Sequence, residues 1–404
     1  MEHNDILPLV SQLNNRLKAT SLTFKRFLYH DIDWRPRLIG IKGSRGVGKT
    51  TLLLQHIKES FSRNIQQVFF ASLDDIWFQG HSLVDLAEYL STHNYTHLFL
   101  DEVHKYPDWN VVIKTIYDSF PSLHIVYTGS SMLEIDNSKS DLSRRQILYT
   151  LPGLSFREFL EFEGVLKMEP LPLEQILSLH QSVAMQVTSN IKVLTYFERY
   201  LRVGCFPFYK ETFSEDEYYG KIRAIINLVV ESDMPAVEDV SYSTVQKTKQ
   251  LLMTIAPNVP LVPNISKLSQ QLETNSPQCL KLLYTLDRAN IIRVLSKRQK
   301  DYKHLSKPDK ILLNNSNLLY ALSARADVGT CRESFMVHQL ATQGEVSVAP
   351  KGDFLFEDTY LFEVGGRGKD YSQIADVENS FLAVADTEVG VGSRIPLWMF
   401  GLMY

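Results

Sequence analysis

Along the first 130 positions, apolar residues fall in short blocks separated by polar turns, and the blocks alternate between two periods. Leu38-Ile39-Gly40-Ile41, Val68-Phe69-Phe70-Ala71, Leu98-Phe99-Leu100 and Ile125-Val126-Tyr127 are apolar runs of strand length, the pattern of strands buried on both faces. Between them, Thr51 to Ile57, Leu83 to Leu90 and Trp109 to Phe120 carry helical spacing. This alternation of strand and helix predicts an α/β domain with a doubly wound parallel sheet. Ahead of it, Ile6, Leu9, Val10, Leu13 and Leu17 recur three or four apart and predict a helical lead-in over residues 1–36.

The turn between the first strand and the first helix of the sheet carries the sharpest chemistry. Gly43-Ser44-Arg45-Gly46-Val47-Gly48-Lys49-Thr50, followed by Thr51, fills every defined position of a phosphate-binding P-loop. Its glycines let successive backbone N–H groups turn toward phosphate oxygens, and the helix N-terminus adds partial positive charge. Lys49 is placed to reach the β- and γ-phosphates, and Thr50 to ligate Mg²⁺. The third strand ends in Asp101-Glu102, the shape of a Walker B segment. A parallel strand delivers its last residues to the same sheet edge as the P-loop. Asp101 then holds the Mg²⁺ shell and Glu102 polarises the attacking water. A glutamate beside the aspartate favours a hydrolytic ATPase over a switch GTPase or a small-molecule kinase. The fourth strand ends in Thr128-Gly129-Ser130-Ser131, which puts a polar side chain, Ser130 among them, where it senses the γ-phosphate or simply caps the next helix.

Beyond this domain the pattern changes. Gly164, Pro170 and Pro172 break it, so the ATPase domain is read as residues 37–165. Helical spacing dominates from there to about residue 254. Two further helices, Ile265 to Leu272 and Ser276 to Arg288, precede two candidate strands, Asn290 to Leu295 and Lys310 to Leu313. That is the order of a winged helix, and residues 166–325 are read as a helical linker with such a domain. The intervening stretch carries Lys297, Arg298, Lys300, Lys303, Lys307 and Lys310, a local basic cluster for DNA phosphates or simply a solvated hairpin. The helix before it has few base-reading side chains: Gln278, Lys281 and Arg288 beside Tyr284.

The chain, 404 residues long, exceeds one ordinary core, and its net charge of −4 leaves nucleic-acid binding to local patches. The three cysteines, Cys205, Cys279 and Cys331, lack metal-ligand spacing and read as reduced core residues. No apolar run reaches bilayer length, so the expectation is a cytoplasmic protein without membrane contact. No Ser-His-Asp order, zinc spacing or sugar-cleaving carboxylate pair is present. Asp101-Glu102-Val103-His104 resembles a helicase box, but no second motor segment accompanies it.

Taken with Ser72-Leu73-Asp74-Asp75 and Leu154-Ser155-Phe156-Arg157-Glu158-Phe159-Leu160, these motifs resemble a prokaryotic AAA+-type ATPase family. The resemblance covers nearly the whole chain. It implies ATP and Mg²⁺ as ligands, a winged-helix segment, and a C-terminal domain of unknown function, here residues 326–404, that is similar to restriction endonucleases. It also implies an arginine finger: Asp141-Leu142-Ser143-Arg144-Arg145 stands where members often carry Leu-x-Gly-Arg, so Arg145 matches the arginine and Arg144 replaces the glycine. Such an arginine acts on its own site or on that of a neighbour in a homo-oligomer.

In the last segment, Asp353 and Glu363 resemble the Asp…Glu-x-Lys arrangement of restriction-type nucleases, but Gly365 holds the lysine position. Lys369, four residues on, is the one candidate substitute, and the simpler expectation is an inactive or repurposed fold. Three functions stay open: an ATPase that rearranges its C-terminal domains, a nucleotide-controlled switch for a protein partner, and a DNA-processing ATPase with a nuclease.

Overall fold

The computed structural model describes residues 1–129, 142, 144–237, 241–297, 307–323 and 325–404. The chain divides into two compact units, Met1–Pro152 and Gly153–Tyr404.

In the first unit, helix α1 (His3–Ala19) and the single turn α2 (Leu28–Asp31) lead into strand β1 (Leu38–Lys42) and helix α3 (Lys49–Ser60). There follow β2 (Val68–Ser72), α4 (Leu83–Thr92), β3 (His97–Asp101), α5 (Trp109–Ser119), β4 (His124–Gly129) and β5 (Ile147–Thr150). The sheet order is β2-β3-β4-β1-β5, and every pair is parallel. The predicted doubly wound α/β sheet is therefore present. Parallel strands need crossovers, and here α3, α4 and α5 supply them while covering the apolar faces. Leu38, Leu98, Leu100, Ile113, Ile116, Ile125 and Tyr127 meet in one core with Ile6 and Leu9 of α1, which explains why the lead-in carries a helical apolar stripe. Strand β5 was not visible in the alternation. It is the sheet edge, Ile147 is 42% exposed, and an edge strand with one wet face shows no continuous apolar run.

A row of histidines lines one part of this unit. Trp34 stacks on His56 at 3.6 Å, and His97 stacks on His124 at 4.9 Å. Burial, followed by the charge of His97, lowers the His56 pKa to about 4; burial, followed by His124, lowers that of His97 to about 4. His124 is lowered too, by burial and then Arg37. A base held neutral in the folded state stabilises it fully above its unfolded pKa, near 6.5, and loses that contribution as pH falls toward the folded value. The first unit should therefore lose thermal stability between pH 6.5 and 4. A His97→Phe protein, which keeps the ring contacts without the titrating nitrogen, should show a shallower loss by differential scanning calorimetry; an identical slope would remove this assignment.

The second unit begins with the helix Phe156–Phe162, closed at its start by a capping box in which Ser155 Oγ accepts from Glu158 N and Glu158 Oε2 accepts from Ser155 N. Phe156 and Phe159 are fully buried, Ser155 Oγ donates to the carbonyl of Tyr404, and Arg157 Nε donates to the same oxygen at 2.9 Å. The Ser-Phe-Arg-Glu-Phe segment thus clasps residues 397–404. Helices Leu173–Thr188, Val193–Val203, Glu215–Leu228 and Tyr242–Ile255 follow. The helices Ile265–Gln271 and Ser276–Arg288 then precede an antiparallel ribbon of β6 (Ile292–Leu295) and β7 (Lys310–Leu313), with Ile292 opposite Leu313. The helix Val328–Leu340 packs on a second five-stranded sheet, ordered β12-β11-β10-β9-β8. Its strands are β8 (Val346–Val348), β9 (Phe354–Phe356), β10 (Tyr360–Gly365), β11 (Ser380–Val384) and β12 (Arg394–Pro396). β10, β11 and β12 run parallel, whereas β8-β9-β10 is an antiparallel meander.

Candidate functional site

The loop from Gly43 to Gly48 joins the end of β1 to the first turn of α3 and needs its glycines for specific reasons. Gly46 and Gly48 have φ of 81° and 100°, the left-handed region that side chains resist. A Cβ on Gly43 would lie 2.3 Å from the carbonyl oxygen of Leu151. Arg26, 4% exposed, braces the loop by donating to Val47 O, and its other nitrogen donates to Pro152 O at 2.9 Å. The sequence offered no signal for Arg26, which sits in the lead-in before the strand. Val47 is buried, Thr51 is exposed on the helix, and Ser44 and Arg45 are half-buried.

Lys49 is 4% exposed, and its Nζ donates to Gly43 O at 2.8 Å and Ser44 O at 3.0 Å. Thr50 Oγ1 donates to Asp101 Oδ2 at 2.7 Å. Because β4 lies between β1 and β3, with Ile41 opposite Thr128, the last residues of all three strands converge at one sheet edge. Thr128 Oγ1 donates to Asp101 Oδ1 and accepts from Glu102 N at 3.3 Å. The polar side chain that orders the two acids is thus Thr128; Ser130 and Ser131 lie outside the described residues. Burial, and then the neighbouring Glu102, push the Asp101 pKa up, against the hydroxyls of Thr128 and Thr50 and the charge of Lys49. A divalent cation would reverse that shift. The hydroxyl and carboxylate oxygens of Thr50 and Asp101 form a converging hard-oxygen pair that suits Mg²⁺.

Glu102 turns off the strand in a left-handed conformation, φ 53° and ψ 44°. Its Oε2 lies 3.3 Å from His104 Nε2 and 3.7 Å from Arg45 Nη2. His104, part of the helicase-like spelling of this segment, thus lies against Glu102.

Arg145 lies elsewhere. β5 runs parallel to β1 with Ile147 opposite Ile39, so Arg145 precedes the opposite end of the sheet from the P-loop. Some six residues of extended chain, about 20 Å, separate the two levels. Its guanidinium is bidentate on Asp118, with Nε to Oδ1 at 3.0 Å and Nη2 to Oδ2 at 3.1 Å. An arginine finger acting on its own chain's phosphates does not fit this placement; a finger for a neighbouring chain remains compatible with it.

In the second unit, Lys310, grouped by sequence with the basic ribbon, instead faces inward. It pairs with Glu333 at 2.5 Å and stands 3.9 Å from Asp353. Arg298, Lys300 and Lys303 lie outside the described residues. Asp353 Oδ2 accepts from Val364 N at 2.8 Å. Glu363 is 2% exposed; its Oε1 meets Lys369 Nζ at 2.6 Å, and its Oε2 has no hydrogen-bond partner among the described residues. A Cβ on Gly365 would fall 2.6 Å from Lys369 Cβ and Cγ, so the lysine stem runs through the space that a side chain at 365 would fill. The ammonium of Lys369 therefore stands beside Glu363, while position 365 carries no side chain. Among the described residues, no group of three or more His, Cys, Asp or Glu side chains is placed to hold a metal.

Residues 35–160 match a family described as an AAA domain, and residues 194–328 match a domain of unknown function, DUF8612. The first of these stretches holds the P-loop and the Asp101-Glu102 strand end, on a sheet with the α/β fold of P-loop ATPases. The chain is 29% identical over 272 residues to the uncharacterized protein MJ1637 of Methanocaldococcus jannaschii, covering 64% of this chain and 56% of that relative. It is 23% identical over 320 residues to MJ1544 of the same organism, covering 76% and 67%. The Walker-type ATPase PABY2304 of Pyrococcus abyssi superposes with a TM-score of 0.41 at 12% identity, over 74% of this chain and 95% of that one. The Aeropyrum pernix Orc1 protein, solved with DNA, gives 0.29 at 12%, over 83% and 93%. Among the described residues no helix is long and apolar enough to cross a membrane.

Proposed function

We propose that the protein is a Mg²⁺-dependent ATPase whose hydrolysis rearranges the C-terminal unit. The observation that carries this reading is the convergence of Lys49, Thr50, Asp101 and Glu102 at one sheet edge, with Asp101 gripped by both Thr50 and Thr128. Loop amides and Lys49 bind the β- and γ-phosphates. Thr50 and Asp101 would hold Mg²⁺, which would supply positive charge against that developing on the phosphates. Glu102 accepts the proton of the water that attacks the γ-phosphorus. Phosphate release from Mg-ATP by purified protein, measured with and without duplex DNA over a range of protein concentrations, tests the reading. Turnover that Glu102→Gln removes supports it; a wild type without turnover under every condition favours the nucleotide-controlled switch. DNA enters as the candidate partner of the Ser276–Arg288 helix and the ribbon, where Lys297 and Lys307 are the described ribbon lysines left for phosphates once Lys310 is engaged inward.

Arg145 in this reading completes the site of a neighbouring copy in a homo-oligomer. Arg145→Ala should keep ATP affinity and slow turnover by about 1,000-fold. Mixing it with a Glu102→Gln chain should restore part of the activity, since some mixed interfaces then hold an intact glutamate and an intact arginine. Full activity of Arg145→Ala alone excludes the role.

A second reading, phosphodiester cleavage by the second unit, is supported by Lys369 threading over Gly365 to reach Glu363. In this reading Asp353 and Glu363 bind a divalent cation, and Lys369 orients the nucleophilic water. Incubation of linear and supercoiled DNA with Mg²⁺ or Mn²⁺ decides it. Cutting that disappears in both Asp353→Ala and Lys369→Ala supports this reading, and intact DNA returns the unit to an inactive or repurposed fold.

A further inference from the structure

Three side chains at the nucleotide edge meet around one imidazole nitrogen. Arg45 Nη2 is 3.1 Å from His104 Nε2, and the same nitrogen is 3.3 Å from Glu102 Oε2. The guanidinium itself stands 3.7 Å from that carboxylate oxygen. The His104 side chain is 1% exposed, and those of Arg45 and Glu102 are 18% and 16% exposed, so little water competes for these contacts.

A neutral imidazole nitrogen is either a lone pair or an N–H, never both. Donation from Arg45 to Nε2 requires the ring proton to be on Nδ1, and the guanidinium charge, 3.7 Å away, then retains Glu102. Nε2 then has no proton to offer Glu102. Arg45, however, belongs to the P-loop, between Ser44 and Gly46. A triphosphate seated there is a stronger, multiply charged partner for a guanidinium than an imidazole or a carboxylate 3.7 Å away.

We propose that His104 is the positioning residue for Glu102, changing from acceptor of Arg45 to donor to Glu102 when the triphosphate draws Arg45 away. The inference rests on the hydrolytic reading above. Before nucleotide arrives, the carboxylate is tied to Arg45. Afterwards, Nε2–H fixes Glu102 Oε2 and so orients the carboxylate that takes the proton of water. One nitrogen thus couples occupancy of the γ-phosphate position to the readiness of the general base, and ADP, which lacks that phosphate, leaves Arg45 where it was.

The direct test reads the ring rather than turnover. In ¹⁵N-labelled protein, the His104 ring signals, identified by their loss in His104→Gln, should show Nε2 unprotonated without nucleotide or with Mg-ADP. With Mg²⁺ and a non-hydrolysable ATP analogue, Nε2 should carry the proton. Arg45→Ala should show the Nε2–H form without any nucleotide. Steady-state kinetics supply the second arm. His104→Ala should lower kcat by about 10- to 100-fold and leave KM within about twofold. His104→Gln, which carries an acceptor and a donor on one amide, should recover most of the loss. An unchanged tautomer with the analogue overturns the proposal, as does a His104→Gln protein as slow as His104→Ala, which would reduce His104 to packing. Should the wild type hydrolyse no ATP, the hydrolytic reading fails on its own, and the tautomer measurement still decides the exchange.

Discussion

Glu102→Gln is expected to bind Mg-ATP with wild-type affinity and to hydrolyse it about 1,000-fold more slowly. Glutamine keeps the volume and one acceptor oxygen but cannot take a proton from water. Phosphate binding depends on other groups: the loop amides, Lys49, and the Thr50–Asp101 pair. The substitution also removes the like charge beside Asp101 that helps push its pKa up. Calorimetric titration with ATP, alongside phosphate release under saturating Mg-ATP, separates the two effects. Turnover within tenfold of the wild type would show that another group activates the water.

Lys49→Ala should have the opposite signature, with affinity for ATP reduced by about 100-fold, equivalent to about 2.7 kcal/mol. The ammonium now donates to Gly43 O and Ser44 O, and on binding it exchanges these neutral acceptors for phosphate oxygens, a charge-assisted gain that alanine forfeits. The loop itself should survive, because Arg26 still braces Val47 O and Gly43 still packs against Leu151. Far-ultraviolet circular dichroism should therefore remain native while calorimetry shows the weakened binding. Lys49→Met, which fills the buried site with an apolar chain, should weaken binding equally. Undiminished ATP affinity in either variant would falsify the assignment of Lys49 to the phosphates.

What was legible in the sequence followed burial. β1, β2, β3 and β4 are covered on both faces and read as apolar runs, and the P-loop reads because its backbone geometry demands glycine at fixed places. The helices Ile265–Gln271 and Ser276–Arg288 and the ribbon behind them were legible for the same reason, through apolar spacing and a polar turn between. β5, half-wet at the sheet edge, and the three-residue strands β8, β9 and β12 were not, since so few residues cannot display a period.

In the site, Lys49, Thr50, Asp101 and Glu102 meet because chain order and sheet order both bring them to one edge. Arg145 and Lys310 illustrate the reverse. Which end of a strand an arginine precedes, and which way a ribbon lysine turns, depend on register and packing that local composition does not encode. Arg26 gave no signal, and His104 read only as part of a helicase-like box, because their partners, Val47 O and Glu102 Oε2, are chosen by the fold rather than by spacing.

The passage of the Lys369 stem over Gly365 makes these two positions mutually dependent in a mutational path. Lysine introduced at 365 alone would drive its Cβ into the stem already there, 2.6 Å from Lys369 Cβ and Cγ, whereas the same change made after Lys369 has become glycine no longer meets either atom. The order of the two steps is therefore fixed: position 369 must lose its bulk before position 365 can gain any. A chain midway along that path passes through a form with no cation beside Glu363, so exchange between the two placements of the lysine requires a tolerated intermediate that has neither.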